Sequence, residues 1–243
     1  MITRSPSLTD QVKAHLKERI VSGAFEEGRI PSETELAADL GVSRTTIRDA
    51  LSRLENEGSI YRKQGAGTFV NEPGLQIKSR LEEMWSYEEV LEDHGFTPSI
   101  RVVAITAEPA SAAFAGDLGI DEGEPLVVIE KVFLEDELPV ALTYNRIPER
   151  LVTDPITNDS GPLPLYDLLD RHCDRQLSYY LSEIVPAALP THEADELGVP
   201  RRTPALSFEE IGYDQNNEPV AQSTSYFRDD LLRFRLIRRK SGA

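Results

Sequence analysis

The chain has 243 residues, with 26 Lys plus Arg against 42 Asp plus Glu, and its formal net charge of −16 excludes a protein that is basic throughout, as many nucleic-acid binders are. No apolar run reaches membrane-spanning length, the single cysteine (Cys173) excludes an intrachain disulfide, and four scattered histidines have no metal-ligand spacing, so no metal or cofactor is expected. The charge is unevenly spread: residues 1–70 hold ten basic and ten acidic side chains, whereas residues 71–243 hold 16 and 32, which points to two domains of different electrostatic character.

The opening residues, Met1-Ile-Thr-Arg-Ser-Pro, carry no apolar leader, so a cytoplasmic location is expected. Leu8, Val12, Leu16 and Ile20 then recur every four residues and predict a first helix ending near Gly23. Gly28-Arg-Ile-Pro-Ser reads as a loop. Ser32 and Glu35 have capping-box spacing, which starts a short second helix over residues 33–40, stopped by Gly41. Ser43 is a suitable N-cap for a third helix running to about Glu57, with Gly58 as its stop.

The third helix has two faces. Ile47, Ala50, Leu51 and Leu54 are expected in a core, while Arg44, Thr45, Arg48 and Ser52 point away from it. A short helix, a glycine turn and such a second helix make a helix-turn-helix, whose second helix reaches base edges with its N-terminal end. Arg can pair bidentately with guanine, and Thr can meet phosphate or a thymine methyl. Two short strands follow, around Ile60 and Phe69-Val70, with Arg62, Lys63 and Gln64 near a glycine-rich tip suited to phosphates or a minor groove. Three helices and a β-wing make a winged helix over residues 1–70.

Asn71-Glu-Pro-Gly reads as a hinge opening a linker over residues 71–78. Ser86 and Glu89 repeat the capping-box spacing at the start of a helix. Strand-like runs dominate thereafter: 101–105, 126–134, 140–147, 177–185, 205–213 and 220–227. Within them the chain repeats itself. Asp117-Leu-Gly-Ile, Glu124-Pro-Leu, Glu130 and Pro139-Val-Ala return as Glu196-Leu-Gly-Val, Thr203-Pro-Ala, Glu209 and Pro219-Val-Ala, at an offset of 79 residues that becomes 80. Two such units are expected to join strands into one antiparallel sheet with helices on one side and a ligand pocket between the halves. His172 and Cys173 are adjacent on an expected helix and so cannot aim one side chain at the other for nucleophilic catalysis. No catalytic constellation appears.

Pro31-Ser-Glu-Thr-Glu-Leu, Leu40-Gly-Val-Ser-Arg-Thr-Thr-Ile-Arg-Asp-Ala-Leu, Glu57-Gly and Gly65-Ala-Gly-Thr-Phe-Val resemble the DNA-binding domain of the GntR family of bacterial transcription regulators. The resemblance implies a homodimer on a palindromic double-stranded operator, with contacts from Ser32, Thr34, Ser43, Arg44, Thr45, Thr46, Arg48, Arg62, Lys63, Gln64, Gly65 and Gly67. Thr34 stands where many members carry a basic residue, which implies a different operator preference. Residues 79–243 resemble the UTRA effector domain of the HutC branch, which shares a fold with chorismate lyase. The implied class is therefore α+β: an N-terminal winged helix-turn-helix plus a C-terminal, mostly antiparallel sheet with helices.

The same resemblance implies effector contacts at Ser86, Tyr87, Lys131, Phe133, Thr143, Tyr166, Glu183, Phe227 and Arg228. Sugar-phosphate-binding members tend to carry two arginines where this chain has Lys131 and Phe133, and Tyr-Arg where it has Phe227-Arg228. The expected effector is therefore a small metabolite less charged than a sugar phosphate, in a less polar pocket, with Arg228 available to pair a carboxylate. The basic tail of Arg233, Arg235, Arg238, Arg239 and Lys240 reads as solvated charge. The implied function is a ligand-responsive regulator, released from its operator by the effector. The alternative is a chorismate-lyase-like enzyme fused to a DNA-binding domain.

Overall fold

Ser7 opens the first helix by accepting a hydrogen bond from the Asp10 N–H, and α1 runs Leu8–Val21. The structure, a computed structural model, describes residues 7–75, 86–93, 95, 97–135, 137–228 and 234. The basic tail and the end of the expected linker lie outside the described residues. The described residues up to 75 form one compact unit, and those from 86 onward another.

In the first unit, α1 buries Val12, Leu16 and Ile20, whereas Leu8, expected in the same stripe, is exposed on the first turn. Helix α2 (Glu33–Leu40) starts with the expected capping box and ends at Gly41 in the left-handed conformation. Helix α3 (Arg44–Asn56) is capped by Ser43 and buries Ile47, Ala50, Leu51 and Leu54 against Leu16, Leu36 and Ile60. Strands β2 (Ile60–Lys63) and β3 (Gly67–Val70) form the wing. The stretch expected as a loop contributes a further strand, β1 (Arg29–Ile30), which pairs with β3 and sends Ile30 into the core.

The hinge expected at Pro73-Gly74 is absent. Residues Glu72–Leu75 form a helical turn, α4, held against the end of α3. The Asn71 N–H donates to the Ser59 carbonyl at 2.9 Å, and Asn71 Nδ2 donates to the Gly58 carbonyl at 2.8 Å. Gly74 is buried, because any Cβ there would lie 2.0 Å from the Gly58 carbonyl oxygen. The first unit therefore extends at least to Leu75.

The second unit opens with α5 (Tyr87–Asp93), whose capping box is complete: the Ser86 N–H donates to Glu89 Oε2 at 2.9 Å and the Glu89 N–H to Ser86 Oγ at 3.1 Å. Then follow β4 (Pro98–Pro109), α6 (Ala112–Leu118), β5 (Pro125–Glu135), β6 (Leu138–Pro148), α7 (Leu165–Cys173), β7 (Leu177–Ala188), α8 (Thr191–Glu196), β8 (Pro204–Asp214) and β9 (Pro219–Arg228). All six expected strands exist and are longer than their apolar runs. They form one antiparallel sheet in the order β4-β5-β6-β9-β8-β7.

That order displays the internal repeat. Each half is a strand, a helix and a hairpin, and the halves join through β6 and β9. Tyr144 pairs with Thr224, its own counterpart at the offset of 80, so the pseudo-twofold axis passes through this pair. The helices occupy both faces of the sheet, not one. Alternation along β5 sorts them. Leu126 and Val128 meet α6 through Ala115 and Leu118, and Val132 meets α8 through Ala194 and Leu197. On the opposite face Ile129 packs with α7, and Phe133 with Leu91 of α5.

Gly74→Ala is expected to destabilise the first unit by about 1–3 kcal/mol through backbone overpacking. Gly116→Ala, inside α6 with nothing within 4 Å of the added carbon, is expected to be neutral or stabilising by up to about 1 kcal/mol. Thermal unfolding of the two variants tests the docked turn. Equal transitions would contradict it.

Candidate functional site

Each unit presents its own site. In the first, the Ser43 hydroxyl accepts from the Thr46 N–H at 3.1 Å and lies 2.8 Å from Thr46 Oγ1, so both side chains are spent on starting α3. Arg44, Thr45 and Arg48 stand exposed on its first two turns, and the first turn has no acidic residue to offset the positive end of the helix dipole. Ser32 is likewise committed to a cap, and Thr34 is exposed beside it on α2. The wing tip is a three-residue turn, Gln64-Gly65-Ala66, with Gly65 at φ +74° and Gly67 at φ +119°, conformations open to glycine. Lys63, Gln64, Gly65 and Gly67 are exposed there.

Ion pairing explains how a unit without net positive charge shows exposed cations on one helix start and the wing. Lys13 pairs with Glu57, Arg19 with Asp39, Arg53 with Asp10, and Arg62 with Glu55. Among the described residues of this unit, Arg29, Arg44, Arg48 and Lys63 form no salt bridge. Two of these are on the exposed start of α3 and one is on the wing. Arg29 was not singled out from sequence, because a two-residue strand leaves no periodic signal. Its guanidinium reaches Gly67, where an added Cβ would lie 3.8 Å from Nε.

In the second unit a cavity of about 250 Å³ lies on the sheet face that carries α5 and α7. Ser86, Tyr87, Lys131, Phe133, Thr143 and Tyr166 all line it. Lys131 is 2 % exposed, and its Nζ donates to the Leu163 carbonyl at 2.7 Å. Burial pulls its amine down to about 8, partly offset by the negative charge of Glu88. Thr143 is fully buried beside it, and its hydroxyl has no hydrogen-bond partner. Register joins both halves in this lining: Lys131 stands opposite Thr143, and Asn145 opposite Ser223.

Three expected contacts are placed elsewhere. Ser182 and Ile184, the neighbours of Glu183 on β7, line the cavity, so alternation puts Glu183 on the other side, opposite Glu209. Two carboxylates do line the cavity, Glu88 beside Lys131 and Glu210 on β8, and no sequence feature distinguishes Glu210 from Glu209. Ser182 Oγ donates to Glu210 Oε1 at 2.6 Å, and burial raises the Glu210 carboxyl above the usual range. Phe227 packs against Tyr87 and Phe208, with ring centroids 5.3 and 5.1 Å apart, and is absent from the lining. Arg228 Nη1 donates to the Pro139 and Leu197 carbonyls at 3.2 and 3.4 Å, so that guanidinium ties the start of β6 to the end of α8 and is absent from the cavity lining.

The cavity nevertheless carries many polar groups. The hydroxyl missing at Phe227 is not missing from the cavity, which Tyr87, Tyr166, Tyr179, Tyr180, Ser182 and Ser223 line along with Asn145. His172 and Cys173 are buried in α7, away from it. The His172 ring meets the Asp154 carbonyl at 3.1 Å, and burial pushes the Cys173 thiol up to about 11, the wrong direction for a nucleophile.

Residues 8–70 match the family described as bacterial regulatory proteins, gntR family, and residues 93–233 match the UTRA domain. The HTH-type transcriptional repressor NagR of Bacillus subtilis is 31% identical over 225 residues, covering 92% of this chain and 91% of NagR. The HTH-type transcriptional repressor PhnF of Mycolicibacterium smegmatis is 29% identical over 228 residues, covering 93% and 90%. Its crystal structure superimposes with a TM-score of 0.59 over 94% of this chain and 99% of that one. The structure of the possible transcriptional regulator YydK from Bacillus subtilis gives 0.74 at 19% identity, over 95% and 99%, a likeness of fold. Among the described residues no helix is long and apolar enough to cross a membrane.

Lys131 generates a stability prediction. With its amine lowered from 10.5 to about 8 in the folded chain, the unfolded chain binds more protons between those values, so this residue costs stability below pH 8 and relieves the cost as pH rises. Lys131→Met is expected to stabilise the second unit at pH 7 by about 3 kcal/mol, with the advantage shrinking above pH 8. Unfolding measured across that range checks it. A variant less stable than wild type at pH 7 would refute the buried-cation account.

Proposed function

Because the chain belongs to the gntR family of bacterial regulatory proteins, in its HutC type with a UTRA domain, we propose that it is a repressor released from a palindromic operator by a small molecule. It acts as a cytoplasmic homodimer that presents two winged helices to two half-sites. The observation that carries this is the pair of uncommitted arginines, Arg44 and Arg48, on the exposed start of α3 in a unit whose other cations are mostly paired away. Arg44, Thr45 and Arg48 read the major groove, Thr46 being held in the cap with Ser43, and the wing at Lys63, Gln64 and Gly65 follows the backbone.

The effector sits in the cavity of the second unit. Its acidic group meets Lys131 and the unpartnered Thr143 hydroxyl, and its hydroxyl or amino donors meet Glu210 and Asn145. With Phe133 in place of a second cation, one negative charge suffices at the Lys131 end, and a polar, hydroxyl- or amine-rich metabolite fits the remainder. Coupling to DNA requires that this molecule bind the operator-competent arrangement less well, a difference of typically about 1–3 kcal/mol. The relatives named above are transcriptional repressors, which leaves the enzymatic alternative without support.

Arg44→Ala and Arg48→Ala are each expected to weaken operator binding by about 1–3 kcal/mol. Lys131→Ala is expected to abolish the effector response while leaving operator affinity in its absence unchanged. Fluorescence anisotropy with a duplex carrying the operator measures both. Undiminished binding by both arginine variants would overturn the assignment of α3 as the reading helix.

A further inference from the structure

Arg62 lies on the wing, where a cation is expected to meet phosphate, yet its guanidinium turns back into the unit. Its Nε is 3.2 Å from Glu55 Oε2 in the last turn of α3. Its Nη2 is 3.5 Å from Ser52 Oγ, one turn earlier, and 4.0 Å from Glu33 Oε1, on the first residue of α2. The sheet register accounts for the direction. Arg62 pairs with Thr68, and Thr68 with Ile30, whose side chain is buried in the core. Arg62 therefore projects from the face that looks onto the helices, while Lys63 alternates to the other face.

One guanidinium thus bridges the wing strand, the end of the reading helix and the start of the helix before it. Two carboxylates surround it, so the cluster has no positive charge left for a polyanion, unlike Arg44, Arg48 and Lys63. A hairpin of two four-residue strands has little stiffness of its own. A tether one pair from its tip decides where Lys63 and Gln64 reach.

We propose that Arg62 is a positioning residue for operator recognition, which sets the wing against α3 through Glu55 and does not itself contact phosphate. This rests on the operator-binding function proposed above. A phosphate contact and a positioning role differ in sign. Neutralising Glu55 would free a phosphate-binding Arg62 and tighten DNA binding, but would loosen a positioned wing and weaken recognition.

The full-length wild-type chain first selects an operator duplex from a random pool, and a scrambled duplex of the same length serves as non-specific DNA. Arg62→Ala, Glu55→Gln and the double variant are then titrated with both duplexes over a range of salt concentrations, with thermal unfolding of each. Each single variant is expected to lose about three- to fivefold in operator affinity, the range of one exposed ion pair. Affinity for the scrambled duplex, the salt slope and the melting temperature stay near wild type, and the double variant is no worse than Arg62→Ala. Tighter binding by Glu55→Gln, or a salt slope reduced by about 0.9 in Arg62→Ala, makes Arg62 a phosphate contact and overturns the proposal. Equal losses on both duplexes in step with a lowered melting temperature overturn it as a mere folding effect. If the wild-type chain selects no duplex, operator binding itself falls, and this proposal with it.

Discussion

The antiparallel pairing of β6 with β9 is the contact on which the second unit depends. It joins two copies of one strand–helix–hairpin unit about the Tyr144–Thr224 pair and makes a single six-stranded sheet of them. Neither copy has a complete cavity wall. Lys131 and Thr143 come from the first, and Glu210, Ser182 and Ser223 from the second, brought into neighbouring positions by register alone. A slip of one residue at this junction would turn the lining side chains of one half to the opposite face from those of the other.

Polar groups in that cavity are held at a cost. A buried amine, a fully buried hydroxyl without a partner and a carboxylate raised by burial are each unfavourable in an empty site. A core selected for stability alone would replace them with apolar side chains. Their retention fits a site that a ligand completes. The first unit shows the complementary economy of charge: its acidic residues neutralise the cations that hold helices together and leave unpaired those on the start of α3 and on the wing. The net charge of −16 therefore says nothing against DNA binding, because the excess lies wholly beyond residue 70.

Much of this was legible in the sequence, for local reasons. The Ser32–Glu35 and Ser86–Glu89 boxes, the stripe of Ile47, Ala50, Leu51 and Leu54, and the six strands each rest on short-range chemistry that the fold preserves. The repeat was visible because its turns kept their Leu-Gly and Pro-Val-Ala marks. The errors share a different origin. Glu183 is expected in the cavity, but it stands opposite Glu209, and the neighbouring pair of Ser182 with Glu210 lines the cavity instead. The resemblance implies ligand contacts at Phe227 and Arg228, whereas packing against Tyr87 and two backbone carbonyls claims them. Pro73-Gly74 looked like a hinge because the sequence does not reveal that the missing Cβ lets Gly74 sit against Gly58. In each case a contact distant in the chain decided what composition left open.

The central claim is that one cavity, shared between the repeated halves, receives the molecule that controls DNA binding. Amide hydrogen exchange with and without the metabolite that weakens operator binding tests it most directly. The account predicts added protection in β5, β6, β8 and β9 around Lys131, Thr143, Glu210 and Ser223, and at the starts of α5 and α7. Protection confined to the opposite face, around α6 and α8, or to the first unit, would contradict it.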